Sequence, residues 1–296
     1  MKYVITGGAG HISKPLTLAL LQAGHQVTVI GRNAQNLADL VTAGATAAIG
    51  SVEDVAFLSN SFTGADAVYT MVPPHFGAQD WKAYIGEIGQ NYATAIQQAG
   101  VQKVVNLSSI GAHLPDGCGP VSGLYRVEQA LNRLENVAIV HLRPAFFFYN
   151  HLANIPMIKG MGITGGNYGE NASIPMVATE DIANEAFTQL TNLSFTGKTI
   201  RYIVSDTKTT NEIASIIGAA VELPNLTWVD FTDEQLLGGL LQAQLPEEIA
   251  KNYVEMGAAM RKGFLGEKLK DLDGVLVAGK VDFTHFANNE FKTVFG

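Results

Sequence analysis

Residues 1–13 of the chain read MKYVITGGAGHIS. The apolar run from Lys2 to Thr6 predicts a β-strand, and the apolar positions from Ser13 to Ala23 predict a helix. The glycines between them have the spacing G-x-x-G-x-x-S, in which Gly7 permits a tight turn and Gly10 lets the backbone approach a diphosphate. The helix N-terminus adds unpaired amides and the positive end of its dipole. The stretch therefore predicts a dinucleotide-binding turn. The alternative interpretation is a glycine-rich turn without a ligand.

Short β-branched runs alternate with longer helical patterns along the first two thirds of the chain. Further strands are predicted at 26–30, 46–49, 67–72, 103–107, 137–142 and 199–204, and further helices at 37–43, 81–99, 125–134 and 180–190. Strands that alternate with helices of this length form parallel βαβ units. The strands are nearly continuous in apolar residues, as in sheets that are covered on both faces. The predicted fold class is therefore α/β, with a Rossmann-like, doubly wound parallel sheet.

The alternation becomes irregular after Pro144, where we expect a smaller, mainly helical C-terminal lobe. The stretch 160–169 contains five glycines, which predicts a loop. Further on, Thr210 is predicted to cap a helix, and Thr232 followed by Gln235 has the spacing of a capping box. We expect 1–149 plus about 181–205 to form the nucleotide-binding domain, and about 150–180 and 206–296 to form a lobe on the substrate side.

The composition limits the classes of function. The 296 residues are 47% hydrophobic and 16% charged, which is enough apolar material for a large core. The formal net charge of −8 argues against nucleic-acid binding, which needs clustered Lys and Arg. The single cysteine, Cys118, cannot form an internal disulfide, and its position between two glycines predicts exposure. There is no signal-peptide pattern, and the most apolar later stretch, 137–149, contains Arg143 and Pro144. We therefore expect a soluble cytoplasmic protein with no membrane or nucleic-acid partner.

The second predicted strand is followed by Gly31, Arg32 and Asn33. Sites that prefer NAD usually have an acidic residue here, which accepts hydrogen bonds from the ribose hydroxyls of the adenosine. The guanidinium of Arg32 instead suits a 2′-phosphate, so this residue favours NADP(H) as the cofactor. The alternative interpretation is a solvated arginine in a loop.

Six short motifs, taken in order, resemble the NmrA-like branch of the atypical short-chain dehydrogenase/reductase superfamily. They are TGGAG at 6–10, GRN at 31–33, NLSSIG at 106–111, EQAL at 128–131, LRPAFF at 142–147 and EDIA at 180–183. Their order and spacing extend over most of the chain. The resemblance implies an N-terminal Rossmann domain that binds NADP(H) and a small C-terminal lobe that closes a cleft over the nicotinamide. Members of this branch include quinone reductases, triarylmethane-dye reductases and redox-sensing regulators that bind NADP.

The resemblance also implies which positions bind the cofactor. It places the diphosphate at Gly7, Gly10, His11 and Ile12, the 2′-phosphate at Arg32, and the adenine at Ser51 and Val52, where relatives often carry aspartate in place of Ser51. The positions that line the nicotinamide and its ribose are Met71, Val72, Pro73, Leu107, Ser108, Pro144, Ala145, Phe146 and Phe147. All of these positions lie at the carboxyl ends of predicted strands, where an open α/β sheet binds its ligands.

The Tyr-x-x-x-Lys pair of the wider superfamily is missing. In that pair the lysine activates the tyrosine for proton exchange with the substrate oxygen. Counting from Tyr125 places Gln129 at the lysine, and the family spacing from Glu128 places Leu124 at the lysine and Pro120 at the tyrosine. Without a nearby ammonium, Tyr125 is a poor acid–base group at neutral pH. We therefore expect no Tyr–Lys mechanism.

Hydride transfer needs little help from an acid when the acceptor is conjugated and electron-poor. We therefore expect direct hydride transfer from NADPH to a small conjugated acceptor such as a quinone, in a dry apolar slot. The residues predicted for the slot are Phe146, Phe147, Phe148, Tyr149, Met71, Pro74, His75 and Phe76, and for each the alternative is a place in the core. If the segment is extended, Phe146 and Phe148 point away from the side of Phe147.

No catalytic residue follows firmly from the sequence. The candidates are His75, Ser108 and Tyr125, and His113 has a position similar to that of His75. For both histidines the alternative is a solvated loop residue, and Asn150 either caps a helix or orients a substrate. The histidines and carboxylates show no metal-binding spacing, so no metal is predicted. The alternative function is a non-catalytic NADP(H) sensor that binds a protein partner.

Overall fold

The computed structural model describes residues 1–263 and 273–296. The strands in these ranges are β1 Lys2–Ile5, β2 Gln26–Gly31, β3 Thr46–Ile49, β4 Ala67–Thr70, β5 Lys103–Leu107, β6 Ala138–Pro144, β7 Phe146–Phe147, β8 Ile163–Gly166, β9 Ser173–Val177, β10 Lys198–Val204, β11 Asp206–Thr209, β12 Thr227–Asp230 and β13 Val275–Ala278. The helices are α1 Ser13–Gln22, α2 Ala38–Thr42, α3 Val55–Phe62, α4 Trp81–Ala99, α5 Pro120–Asn132, α6 Ile155–Met161, α7 Thr179–Asn192, α8 Thr210–Ala220, α9 Asp233–Gln242, α10 Glu247–Arg261, α11 Phe283–Phe286 and α12 Lys292–Phe295. A 3₁₀ turn at Phe148–Asn154 precedes α6.

Eight strands form one parallel sheet in the order β13-β10-β6-β5-β4-β1-β2-β3. β1 lies between β2 and β4, so the strand order reverses beside it. The register of β1 runs from Lys2 opposite Gln26 on one side and from Tyr3 opposite Ala67 on the other. Connections leave β1 and β4 toward opposite faces at this switch point, which opens a crevice at their carboxyl ends. The predicted doubly wound α/β fold is confirmed.

Helices bury both faces of this sheet. On one face, α1, α2 and α7 contribute apolar side chains such as Leu16, Leu40 and Ile182 to a single core. On the other face, α3, α4 and α5 bury residues such as Leu58 and Ile88 against the sheet. Because both faces are covered, all four residues of β4 are buried. The carboxyl edge of the sheet is therefore the place where the strands can meet a ligand.

The 19-residue helix α4 packs against α5 at close range. Asp80 caps its N-terminus by accepting the N–H of Ala83 at 2.8 Å, and Gly100 ends it in the left-handed conformation. A Cβ on Gly89 would lie 2.6 Å from the Cα of Val127 in α5. The missing side chain at position 89 therefore lets the two helices touch.

Substituting this glycine tests the packing of the two helices. Gly89→Ala is expected to lower the free energy of unfolding by about 1–3 kcal/mol, because its methyl group meets backbone that cannot yield. Gly238→Ala in α9 is the matched control, because a Cβ there meets nothing within 4 Å and alanine is the better helix former by roughly 0.5–1 kcal/mol. Urea unfolding curves measure both effects. Equal stability of the two variants would contradict the close helix contact.

The chain beyond β6 builds a third core at the carboxyl edge of the sheet. It contains two small sheets, one of β7, β9 and β11 and one of β8 and β12. The aromatic side chains of Phe148, Phe283, Phe286 and Phe291 are fully buried in this core. The predicted lobe thus mixes strands with helices. The large sheet also takes a strand from the range predicted for the lobe, since β13 pairs in parallel with β10.

Some local predictions were wrong. The glycine-rich stretch 160–169 is not simply a loop, because Gly162 ends α6 in the left-handed conformation and β8 then pairs with β12. The cap of α8 is Thr209 rather than Thr210, since Thr209 and Glu212 form the reciprocal capping box. The capping box of Thr232 and Gln235 is confirmed.

Two helices differ from the predicted pattern on the α4 face. Helix α3 was not predicted, and α5 begins at Pro120 rather than at Tyr125. Proline is tolerated in the first turn of a helix because its missing N–H has no intrahelical partner there.

Among the described residues, no helix has both the length and the apolar character needed to cross a bilayer.

Candidate functional site

The glycine turn joins β1 to α1 at the switch point of the sheet. Gly7 has a φ of +67°, a conformation that favours glycine, and a Cβ on it would lie 2.4 Å from the Sδ of Met71. Within the described residues, the backbone N–H groups of His11 and Ile12 donate to no protein acceptor. They lie at the N-terminus of α1, where the helix dipole favours negative charge. The geometry fits a diphosphate, whose oxygens accept such hydrogen bonds.

Side chains hold this turn on both sides of the switch point. Ser13 is the last residue of the G-x-x-G-x-x-S spacing, where dinucleotide-binding turns usually have a third glycine. Its buried hydroxyl donates to the carbonyl of Thr6 at 2.9 Å. The hydroxyl of Thr6 in turn accepts the N–H of Met71 at 2.9 Å. One chain of hydrogen bonds therefore links α1, the end of β1 and the segment after β4. The protein's own hydrogen bonds therefore fix the conformation of the glycine turn.

Tyr149 lies beside the glycine turn rather than in the predicted acceptor slot. The centroids of the Tyr149 and His11 rings are 4.1 Å apart, and the two planes are tilted by 40°. The aromatic segment 146–149 therefore reaches from the cleft to the turn, because the backbone enters a 3₁₀ turn at Phe148.

Arg32 is exposed at the carboxyl end of β2. None of the salt bridges between described residues involves it. Nearby, the hydroxyl of Tyr84 donates to Glu53 at 3.0 Å. Burial and this contact with Glu53 raise the pKa of Tyr84 to about 12, while the positive charge of Arg32 acts in the opposite direction. The guanidinium therefore lies near Tyr84 with its donors available to an anion.

The two predicted adenine residues follow β3. The hydroxyl of Ser51 accepts the N–H of Glu53 at 3.2 Å, which stabilises the turn into α3. Val52 is buried in the core on the α4 side of the sheet. Their contact with adenine remains a prediction.

A cleft of about 320 Å³ lies between the carboxyl ends of the central strands and the lobe. Its walls are Met71, Val72, Pro74, Leu107, Ser108, Ser109, Ile110, Val121, Leu124, Ala145, Phe146, Phe147, Asn150, Met256 and Met260. Serine hydroxyls and one amide are the polar side chains in this set, and no member of it titrates near neutral pH. The cleft therefore suits a small apolar ligand with few polar groups.

Half of the predicted slot lines this cleft. The residues brought together there are Met71, Pro74, Phe146 and Phe147. Phe148 is fully buried against Phe283 in the lobe, and Phe76 is half exposed with its ring edge on Trp81. As the alternation of side chains along an extended segment predicts, Phe146 and Phe148 point to one side and Phe147 to the other. The first two pack in the core of the lobe, and Phe147 packs in the core on the α1 face of the large sheet.

Helices α5 and α10 supply walls that sequence reasoning missed. Val121 and Leu124 come from α5, and Met256 and Met260 come from α10. The spacing of the two methionines would place them on one helix face, but nothing in the sequence directs that face toward the central strands. Tertiary packing across more than a hundred residues of chain decides it.

Of the catalytic candidates, Ser108 lines the cleft and His75 and Tyr125 do not. The Nδ1 of His75 accepts the N–H of Gly77 at 3.3 Å, and its ring meets the edge of Tyr84 outside the cleft. Tyr125 is half-buried on α5. No proton donor for an acceptor is therefore evident among these two residues.

Two further residues discussed in the sequence analysis, His113 and Cys118, do not line the cleft. His113 is half-buried, and burial together with the charge of Arg143 lowers its pKa. Cys118 was predicted to be exposed, but it is fully buried in the lobe core just before α5. Burial raises the pKa of its thiol to about 11, so it stays protonated at neutral pH.

A buried ion pair lies directly beneath the cleft. Arg143 of β6 donates from Nε and Nη2 to the two carboxylate oxygens of Glu128, at 2.9 and 2.5 Å. Its Nη1 donates to the hydroxyl of Tyr202 at 2.8 Å. Burial opposes the charge of Arg143, but the hydrogen bonds and charge of Glu128 raise its pKa. The hydroxyl of Ser108 donates to the same carboxylate at 2.5 Å, so the ion pair reaches the cleft wall.

Comparison with known proteins gives one family match and one curated relative. Residues 7–139 match the family described as NAD(P)H-binding. A Schizosaccharomyces pombe protein, the uncharacterised C2A9.02, is 26% identical over 248 residues, which are 76% of this chain and 82% of that protein. The family match thus covers the glycine turn from Gly7 onward and strands β2 to β5.

Solved structures share the whole fold. An NADPH-dependent quinone oxidoreductase from Escherichia coli, complexed with NADPH, has a TM-score of 0.83 at 19% identity, over 98% of this chain and 99% of that one. A triphenylmethane reductase from a Citrobacter species, complexed with NADP(H), has a TM-score of 0.79 at 20% identity, over 98% and 99% of the two chains. The negative transcriptional regulator NmrA, in complex with NAD, has a TM-score of 0.75 at 14% identity, over 99% and 95%. These structures confirm the fold that the family resemblance predicted.

No group of three or more potential metal ligands occurs among the residues that the structure describes. His141 and His151 are buried instead as neutral core residues. His141 lies between Asn106 and Asn132, with ring nitrogens 3.1 and 2.9 Å from their amides, and burial lowers its pKa to about 4. Burial likewise lowers the pKa of His151, which lies 3.3 Å from the Sδ of Met176, to about 4.

The histidine at 151 makes a pH-dependent contribution to stability. Its pKa is about 4 in the folded chain and 6.5 as the ordinary value, so unfolding takes up a proton below pH 6.5. Stability is therefore lost as the pH falls from 6.5 toward 4. We expect His151→Leu to reduce the stability lost between about pH 7 and about pH 5 by about 2 kcal/mol.

Urea unfolding at the two pH values measures this difference. Phe148→Leu is the matched control, because it removes volume from the same core without removing a titratable group. It is expected to lower stability equally at both pH values. An unchanged acid dependence in His151→Leu would show that the histidine is not buried in its neutral form.

Proposed function

We propose that this chain, whose residues 7–139 are an NAD(P)H-binding domain within the fold of the NmrA-like proteins, is an NADPH-dependent reductase of small conjugated acceptors such as quinones. The observation that carries the proposal is the apolar cleft at the carboxyl ends of β4, β5 and β6, beside the glycine turn. Its walls hold no Tyr–Lys pair and no group that titrates near neutral pH. Such a site positions reactants without supplying an acid.

The glycine turn and Arg32 divide the binding of the cofactor between them. The amides of His11 and Ile12 hold the diphosphate, and the guanidinium of Arg32 holds the 2′-phosphate. Ser51 and Val52 contact the adenine. The remaining predicted positions, Met71, Val72, Pro73, Leu107, Ser108, Pro144, Ala145, Phe146 and Phe147, surround the nicotinamide and its ribose. When bound, the reduced nicotinamide supplies the hydride.

The cleft walls select the acceptor by their shape and by excluding water. Phe146 and Phe147 offer flat aromatic surface, and Met256 and Met260 offer adaptable apolar surface from α10. Because no wall residue delivers a proton, the favoured acceptors are those whose reduced form is stable before it is protonated in water. Quinones meet this requirement, since their reduced anion is delocalised. Simple ketones and aldehydes do not, because their alkoxides need an acid.

We assign the reductase reaction to two units of the chain. Residues 1–149 with about 181–205 bind the cofactor, and about 150–180 with 206–296 form the substrate side, except that β13 belongs to the large sheet. The acceptor binds between them, where Met256 and Met260 face the strand ends.

Arg32 is the residue that tests the cofactor preference. Arg32→Asp is expected to weaken NADPH binding roughly 10- to 100-fold, because a charge-assisted hydrogen bond is replaced by repulsion of the 2′-phosphate. NADH binding is expected to change far less, since NADH lacks that phosphate. Calorimetric titration with both cofactors measures this, and Arg126→Asp on the exposed side of α5 is the matched control. Equal losses for NADPH and NADH would show that Arg32 does not contact the phosphate.

The reaction itself is tested by following NADPH oxidation with a panel of quinones, cationic dyes, ketones and aldehydes. We expect turnover with quinones or dyes, none with simple carbonyl compounds, and a kcat that changes little between about pH 6 and about pH 8 because no wall residue titrates there. Tight NADPH binding without turnover of any acceptor would overturn the reductase. It would favour the alternative, a non-catalytic NADP(H) sensor that binds a protein partner.

A further inference from the structure

Ser108 is one of the polar residues that line the cleft. Its backbone N–H donates to the carbonyl of Leu142 at 2.7 Å, which fixes the residue to β6. The other serine of the wall, Ser109, donates its hydroxyl to the carbonyl of Ile110 at 3.0 Å, and Asn150 is exposed at the rim. Ser108 is 4% exposed and is one of the residues that line the cleft.

The proton of the Ser108 hydroxyl already takes part in a hydrogen bond within the protein. It points at Glu128, 2.5 Å away, and that carboxylate also receives two N–H bonds from Arg143. A carboxylate held in an ion pair only accepts hydrogen bonds, so Ser108 has to be the donor in this contact. The serine oxygen keeps its lone pairs, which can accept a hydrogen bond. Toward a ligand, Ser108 is thus an acceptor and not a donor.

Reversing this polarity is unfavourable. If Ser108 turned its hydroxyl toward a ligand carbonyl, the Glu128 carboxylate would lose a hydrogen bond at a position that is 2% exposed. The loss of one hydrogen bond to a buried acceptor is unfavourable even though both bonds from Arg143 remain, because water does not replace it there. The ion pair with Arg143 therefore holds both the orientation and the sense of the Ser108 hydrogen bond.

We propose that Glu128 and Arg143 act as positioning residues that present Ser108 Oγ to the cleft as a fixed hydrogen-bond acceptor, and so select ligands that place an N–H or O–H donor against it. Two groups offer such a donor: the carboxamide of the nicotinamide and a hydroxyl group on the acceptor. A ligand carbonyl without a donor would place its oxygen lone pairs against those of Ser108 Oγ, which is unfavourable. The inference rests on the proposed function for the location of the ligands.

The two sources of the donor are separated by two matched pairs of probes. The first pair is NADP⁺ and its acetylpyridine analogue, in which a methyl ketone replaces the carboxamide and removes the N–H donors. The second pair is a naphthoquinone that carries a phenolic hydroxyl away from its carbonyls and the methyl ether of the same compound. Binding of the first pair is measured by calorimetry. Binding of the second pair is measured as competition against a reporter quinone on the NADP⁺-loaded protein.

In the unmodified protein we expect one pair to favour the donor-bearing member by roughly tenfold, as for a buried neutral hydrogen bond. Ser108→Ala is expected to bring that ratio close to unity without disturbing the ion pair. Replacing both charges together, as Glu128→Gln with Arg143→Gln, is expected to reduce the ratio while Ser108 remains, because a glutamine amide also donates and no longer fixes the serine. Tyr202→Phe removes one Arg143 hydrogen bond but leaves Ser108 and Glu128 paired, so it is expected to keep the ratio.

The outcomes decide the inference. Equal affinity within both probe pairs in the unmodified protein would overturn it, as would a donor preference that survives in Ser108→Ala. A preference lost equally in Tyr202→Phe would show that the buried network acts through general stability and not through the serine. If the double variant fails to fold, Ser108→Ala still decides the polarity. Because the readout is binding, a protein that turns over no acceptor would overturn the proposed reaction and leave this result intact.

Discussion

The contact between the glycine turn and the segment after β4 constrains the whole carboxyl edge of the sheet. A Cβ at Gly7 would overlap Met71, and Thr6 is hydrogen-bonded to the Met71 backbone, so the turn and this segment have one mutual arrangement. The turn sits at the N-terminus of α1, while Met71 is also a wall of the cleft. The glycine turn and the apolar cleft therefore share one junction, which in the proposed function would hold a reactive group in the cleft at a defined distance from the diphosphate.

Polar groups are distributed unequally between the two ends of this site. At the glycine turn, the backbone amides of His11 and Ile12 have no protein partner among the described residues, and Arg32 makes no salt bridge among them. At the cleft end, the hydroxyls of Ser108 and Ser109 already donate to protein acceptors. Unpaired donors attract anions, whereas satisfied ones add little to affinity. If the proposed function is right, binding energy for the cofactor comes mainly from its phosphates, and the acceptor is held mainly by apolar contact.

Local patterns predicted the sheet and the glycine turn well, because both follow from residues that are close in sequence. Strand β5 and helix α4 begin and end where the apolar pattern and Gly100 indicate. Contacts between distant segments were not predictable in this way. Met256 and Met260 reach the cleft through packing of α10, and Cys118 is buried because lobe residues cover it. Strand β13 follows most of the lobe in the sequence and then pairs with β10 in the large sheet. No local sequence pattern predicts this pairing.

The same limit applies to the chemistry of the cleft. A missing Tyr–Lys pair is visible in the sequence, but the sense of the Ser108 hydrogen bond is not, because it depends on a carboxylate from α5 and a guanidinium from β6. That ion pair would contribute little to stability on a surface and costs desolvation here, where Arg143 and Glu128 are 5% and 2% exposed. Apolar residues of similar volume would fill the space at least as well. A buried ion pair under an otherwise apolar cleft is therefore better explained by what it does to the serine above it than by stability alone.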